Sequence, residues 1–124
     1  MPKKISIQAG SVKAEATLHD TPTTEKIWAA LPIEGRANTW GEEIYFSIPV
    51  EAAAEPDART DVEVGDLGYW VDGKGFCIFF GPTPASTGEN PKAASDVNIF
   101  GKVDGDATVF KSVPSGESVK IEKA

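Results

Sequence analysis

The sequence predicts a mainly β protein of one domain, spanning residues 1–124, built as a closed antiparallel barrel with a helix capping each end. Three observations predict it. Apolar residues recur at every second position in several short runs, a tight turn joins two of the most apolar runs, and helical spacing is confined to two short segments. A chain of 124 residues buries enough surface on folding to need neither disulfide nor metal for its core.

Ile5-Ser6-Ile7 and the alternation of Val12, Ala14, Ala16 and Leu18 with Lys13, Glu15 and Thr17 make an opening hairpin across Ala9-Gly10-Ser11. Thr21 can cap a helix whose first position is Pro22. Thr24, Ile27, Trp28 and Leu31 then share one side, and Pro32 ends it. Ile44, Phe46 and Ile48 alternate with Tyr45 and Ser47 until Pro49 removes a ladder donor, so this strand lies at an edge or stops there. Glu51 to Asp61, rich in alanine and acid, reads as an exposed loop or a frayed turn.

Leu67, Tyr69 and Val71 lead into the hairpin turn Asp72-Gly73-Lys74-Gly75. Phe76-Cys77-Ile78-Phe79-Phe80 follows, apolar on both faces and therefore central. Gly81 to Asp96, with three prolines, reads as a long loop of the kind that carries function. Val97 to Val103 resumes strand. Asp104 or Asp106 then caps a short helix carrying Ala107, Phe110 and Val113, and Val119 to Ile121 closes the chain as a strand.

Composition excludes several classes of function. With 40% apolar and 25% charged residues the chain is neither disordered nor fibrous. No run approaches the length of a membrane span and the start lacks the apolar segment of a secretion signal, so a cytoplasmic location is expected. A net charge of −7, with two arginines, opposes binding to nucleic acid or anionic membrane. One cysteine and one histidine give no internal disulfide and no usual nitrogen and sulfur metal site, and no cofactor is expected.

Local sequence along nearly the whole chain resembles the cyclophilins. Ala16-Thr17-Leu18-His19-Asp20-Thr21-Pro22-Thr23-Thr24, running into Ile27-Trp28-Ala29-Ala30-Leu31, is similar to their strand-to-helix passage. Ile99-Phe100-Gly101-Lys102-Val103 is similar to the strand before their second helix, and Cys77-Ile78-Phe79-Phe80 to their central strand with paired phenylalanines. Gly65-Asp66-Leu67-Gly68-Tyr69-Trp70, followed by Ile78-Phe79-Phe80-Gly81-Pro82-Thr83-Pro84, resembles more closely a family of short prokaryotic cyclophilin-like proteins of unestablished function. The resemblance implies a cyclophilin-like barrel and leaves function to the site.

A prolyl isomerase needs no nucleophile. It must lower an amide-rotation barrier of about 18 to 20 kcal/mol, which calls for an apolar pocket for the proline ring and a cation at the twisted nitrogen. The resemblance assigns that cation to Arg36, in the segment Ile33 to Asn38; the alternative is a surface cation paired with Glu34 or Glu42. Elsewhere the match departs from the cyclophilin pattern. Trp40 stands for a pocket phenylalanine, Glu43 for a glutamine, Trp70 for the pocket-wall alanine and about Val97 for the histidine. Phe80 stands for the phenylalanine of the pocket floor or is core packing.

Isomerase activity is therefore expected to be absent or weak. The reading is a cleft for a peptide or small organic ligand formed by Arg36, Asn38, Trp40, Glu43, Trp70 and Phe80, with Thr83 and Ser86 either joining from the long loop or making ordinary turn bonds. Arg36 would hold a carboxylate or carbonyl of the ligand. The alternative is a working peptidyl-prolyl cis-trans isomerase that uses Arg36 as its catalytic cation.

Other candidates are weaker. His19 has no partner for a dyad, Cys77 sits in the most apolar strand, and Asp104-Gly105-Asp106 lacks the glycine placement and distal glutamate of a calcium loop. Glu42 and Glu43, adjacent on a strand, face opposite sides and cannot share acid and base work.

Overall fold

The computed structural model describes residues 3–124; Met1 and Pro2, part of the start read above for a signal, lie outside the described residues. β1 (Lys3–Ala9) and β2 (Val12–Leu18) pair antiparallel around the two-residue turn Gly10-Ser11, which Gly10 permits with φ +60°. The alternation in β2 buries Ala16 and Leu18 and exposes Lys13 and Glu15, as the sequence predicts. α1 (Pro22–Ala30) starts where Thr21 accepts a hydrogen bond from the Thr24 amide, with proline at its first position.

β3 (Ile33–Arg36), β4 (Asn38–Thr39) and β5 (Glu43–Ser47) follow, then the short β6 (Arg59–Asp61), β7 (Asp66–Trp70), β8 (Gly75–Phe79), β9 (Lys92–Val103) and β10 (Ser118–Lys123). The pairing order is β3-β10-β1-β2-β9-β7-β8-β5-β4, with β6 added to β9. β8 lies between β5 and β7 with all its residues buried, which agrees with its central reading.

The pairing path begins on β3 and ends on β4, which only Ala37 separates in the chain. The expectation of a closed barrel needs a correction at this point. Among the described residues no ladder joins β3 to β5, so the sheet is not closed by hydrogen bonds. The backbone of Ala37 is engaged elsewhere, its N–H with the Glu117 carbonyl and its C=O with the Gly116 amide. Side-chain packing bridges the seam instead: Gly35 lies so close to the Phe46 ring that a Cβ would stand 2.8 Å from it.

The interior is mostly apolar. Phe76 stacks on Phe46 at 5.3 Å and meets Phe100 edge-on at 5.2 Å. α1 covers the end where β8 begins, inserting Ile27, while Lys26 bonds the carbonyl of Glu51, whose carboxylate pairs with Lys74. A 3-10 helix (Ala107–Ser112), capped by Asp106, covers the opposite end, with the Phe110 ring 6.4 Å from that of Phe80.

Two segments differ from their sequence reading. The stretch read as a loop from Glu51 to Asp61 ends in β6 and is tied down by buried Asn98, which bonds the Ala53 carbonyl, the Glu55 amide and Thr23. β9 starts at Lys92, inside the segment read as loop to Asp96, because β6 supplies a pairing partner that its polar sequence does not announce.

Candidate functional site

Strand alternation sorts the β5–β8–β7 section into two faces. Ile44, Phe46, Leu67, Tyr69, Phe76 and Ile78 point into the barrel. Tyr45, Trp70, Cys77 and Phe79 point outward, where they join Val62, Ala93, Val97 and Ile99 in a second, smaller cluster. This outer face carries a cavity of about 240 Å³. Trp40, Glu43 and Tyr45 line one side and Trp70 and Cys77 another, with Ala93, Ala94 and Val97 of β9 completing it.

Each wall has a local cause. Trp40 sits in the turn from β4 to β5, where its amide bonds the Glu43 carbonyl and Gly41 takes φ +61°. A side chain on Gly41 would strike Pro84 and the backbone of Thr83, so the long loop seats directly against this turn. Trp70 is fixed by its indole N–H, which donates to Ser95, and by Gly73, whose missing Cβ leaves room for the ring. Tyr45 meets Trp70 edge-on, with centroids 6.0 Å apart and planes at 82°. Two aromatic walls therefore stand at a right angle.

Glu43 is the ionisable group that distinguishes this cavity. It is only 5% exposed, and its Oε1 is buried without a hydrogen-bond partner. Burial raises its pKa from an ordinary 4.5 to about 7, against a smaller lowering by a hydrogen bond from the Cys77 thiol. The thiol is pushed well above its ordinary value by burial first and by the neighbouring Glu43 charge second, which keeps it protonated and unreactive. The lining residues include no lysine, arginine or histidine.

Of the residues expected in the cleft, the structure brings Trp40, Glu43 and Trp70 together. Arg36 does not line the cavity. Its guanidinium donates to the Gly116 carbonyl at 3.1 Å, and it pairs with neither Glu34 nor Glu42, the latter being engaged by Lys111 at 3.5 Å. Asn38 bonds the Tyr45 carbonyl and staples β4 to β5 instead of facing the cavity. Phe80 packs in the barrel interior; Phe79, one residue earlier, has the outward parity, and that single step moves a side chain to the other face of the sheet.

Thr83 and Ser86 are engaged within their loop. Thr83 donates its hydroxyl to the Lys92 carbonyl and its amide N–H to the Ser86 hydroxyl oxygen at 2.9 Å, and Ser86 donates to the Asn90 carbonyl. They set the course of the chain into β9, which delivers Ala93 and Ala94 to the cavity. Asp104 is taken up by Lys4 and Thr17, and Asp106 caps the 3-10 helix through Thr108.

Sequence reasoning missed Tyr45, Cys77, Ala93, Ala94 and Val97 as lining residues. Tyr45 shares the parity of Glu43, and Cys77 lies directly opposite Tyr45 in the ladder, so continuing the alternation outward from Glu43 would have found both. Nothing in the small polar run Lys92 to Asp96 marks Ala93 and Ala94 in advance.

A family model described as "Cyclophilin-like" matches residues 3–122. The solution structure of the hypothetical protein AF2241 from Archaeoglobus fulgidus is similar, with a TM-score of 0.85 and 39% identity over 99% of this chain and 95% of that one. No curated protein matches the chain in sequence. Among the described residues no helix is long and apolar enough to cross a membrane.

Proposed function

The chain belongs to the cyclophilin-like family, and from that premise we propose that it works as a binding protein, taking a small organic group or a single peptide side chain into the outer-face cavity, with prolyl isomerase activity absent or weak. The observation that carries this reading is the buried Glu43 carboxyl, short of a hydrogen-bond partner, in a cavity walled by Trp40, Tyr45 and Trp70. Buried polar atoms are ordinarily satisfied. A carboxyl buried short of a partner in the wall of an aromatic cavity marks a place where a ligand could supply the donor that the protein does not. The volume, about 240 Å³, falls below the roughly 300 to 1,000 Å³ of sites for drug-sized molecules, which favours a compact group.

The weakness of the isomerase reading follows from charge. Amide rotation needs a cation where the nitrogen lone pair localises. Here Arg36 is held by the Gly116 carbonyl, and the cavity offers a carboxyl instead. The ligand chemistry expected from Arg36, a carboxylate or carbonyl, is replaced accordingly by hydrogen-bond donors.

Two measurements test the proposal. A library of small metabolites and short peptides, followed by NMR, is expected to shift the indole signals of Trp40 and Trp70 and spare Trp28, which lies against Lys3 and Lys123 at the barrel end. Shifts confined to residues outside the cavity would overturn it. In a protease-coupled assay on X-Pro peptides the protein is expected to add nothing to the uncatalysed rate; efficient turnover abolished by Arg36→Ala would restore the isomerase.

A further inference from the structure

We infer that the cavity receives a protonated organic amine, whose N–H group donates to the Glu43 carboxylate while its carbon chain lies against Trp40, Tyr45 and Trp70. This deepens the binding proposal and rests on it.

Three features of the site converge on that class. The first is the buried acid: Glu43 lines the cavity with its Oε1 closed off and without a donor, so a charge on this carboxylate is uncompensated, and a carboxylate in a nearly dry setting gains most from a donor that also carries positive charge. The second is the wall chemistry. The Trp70 indole N–H is already committed to Ser95, so this ring offers the ligand its aromatic surface and not a donor. Tyr45 stands at a right angle to it, and aromatic walls of this kind attract cations through their ring quadrupoles.

The third is the surrounding charge. No basic side chain lines the cavity to repel a cation, and the whole chain carries −7. The titratable groups facing Glu43 are Tyr45 on its own strand and the Cys77 thiol on β8; β7 and β9 present Trp70, Ala93, Ala94 and Val97, none of which titrates. An anionic ligand would meet an acid with no compensating cation. A neutral apolar ligand would leave the buried acid uncompensated.

The amine can be free or can be the side chain of a lysine in a peptide, since n-butylammonium is the shared chemistry of both. The test therefore uses n-butylammonium, n-butanol, butyrate, tetramethylammonium and an acetylated, amidated lysine peptide. Each is titrated at pH 8 and followed through the indole NMR signals, with Trp28 as internal reference. Butylammonium is expected to shift Trp40 and Trp70 and to bind at least about tenfold more tightly than butanol. Butyrate should not bind. Tetramethylammonium, a cation without an N–H donor, should fall between butylammonium and butanol.

Binding of butylammonium should weaken about tenfold at pH 6, where Glu43, with its pKa near 7, is largely protonated while the amine keeps its charge. This comparison needs no variant and so survives any folding defect. In Glu43→Gln the preference for butylammonium over butanol should vanish. A lysine peptide that binds more tightly than butylammonium identifies a peptide source, and one that binds less tightly identifies a free amine; both keep the class.

Butanol binding as tightly as butylammonium at Trp40 and Trp70 would overturn the amine and leave the cavity as a binding site. Preference for butyrate would overturn the amine too. No shift at Trp40 or Trp70 with any probe would overturn both proposals.

Discussion

On the inner face of β8, Phe76 and Ile78 join Phe46, Leu67 and Phe100 in the main apolar cluster of the core. On its outer face, one residue along, Cys77 meets a buried carboxyl that has an unpartnered oxygen and a hollow beside it. The same strand thus serves two surfaces under different rules. Inside, apolar packing decides nearly every position, and buried Asn98 finds its partners in Thr23, Ala53 and Glu55. Outside, close packing is interrupted at one place, and the interruption collects the aromatic and acidic groups that stability alone would not assemble.

The sharpest contrast is in stability. Phe76→Ala should cost about 3 to 5 kcal/mol, measured by urea denaturation, which is a large part of the roughly 5 to 15 kcal/mol that holds a domain. A loss under about 1 kcal/mol would mean that the inner face is as loosely filled as the outer one.

The next effect is a gain. Because the folded-state pKa of Glu43 is raised from an ordinary 4.5 to about 7, the native state holds this proton more tightly than the unfolded chain. Its contribution is fully present below pH 4.5 and is lost as pH rises through about 7. By linkage the loss amounts to about 3 kcal/mol. Glu43→Gln cannot titrate, so its stability relative to the parent should improve by about that amount between pH 4.5 and pH 8. Comparing the change with pH, and not the absolute values, removes whatever the amide itself adds. A pH-independent difference would place Glu43 in an ordinary solvated setting.

The inner face was legible in the sequence and the outer face only partly so, for a physical reason. Period-two alternation reports which residues share a face, and for Ile44, Phe46, Phe76 and Ile78 apolar character also says which face is inside. Where both faces are apolar, as along Phe76 to Phe80, alternation is silent on which side is outer. The resemblance to cyclophilins offers Phe80 for the cleft, but Phe80 packs inside, and Phe79, one position away, joins the outer cluster without lining the cavity. Trp40, Glu43 and Trp70 were legible because rings and an acid stand out against their neighbours and the resemblance to cyclophilins put them near one another. Arg36 was misplaced because its partner is a backbone carbonyl at Gly116, 80 residues along the chain, and no residue type signals a carbonyl. The open seam at Ala37 is hidden for the same reason, its N–H and C=O being engaged by Glu117 and Gly116.

Smaller effects refine the comparison. Trp70→Phe removes the indole donor to Ser95 and should lower stability by about 1 kcal/mol, while weakening butylammonium binding more than butanol binding; equal weakening of both would show that Trp70 contributes only apolar surface. Arg36→Ala removes one exposed hydrogen bond to Gly116. It should change stability by less than about 1 kcal/mol and leave cavity binding untouched. A clear loss of binding in that variant would draw the arginine back into the site.

The most direct test is the titration of the Glu43 side-chain carboxyl carbon by NMR in the intact protein. A midpoint near 7, moved downward when n-butylammonium is added, is expected of an acid buried beside a hollow that accepts a cation. A midpoint at the ordinary 4.5, unchanged by the amine, would mean that water already satisfies this carboxyl and that the outer face holds no site.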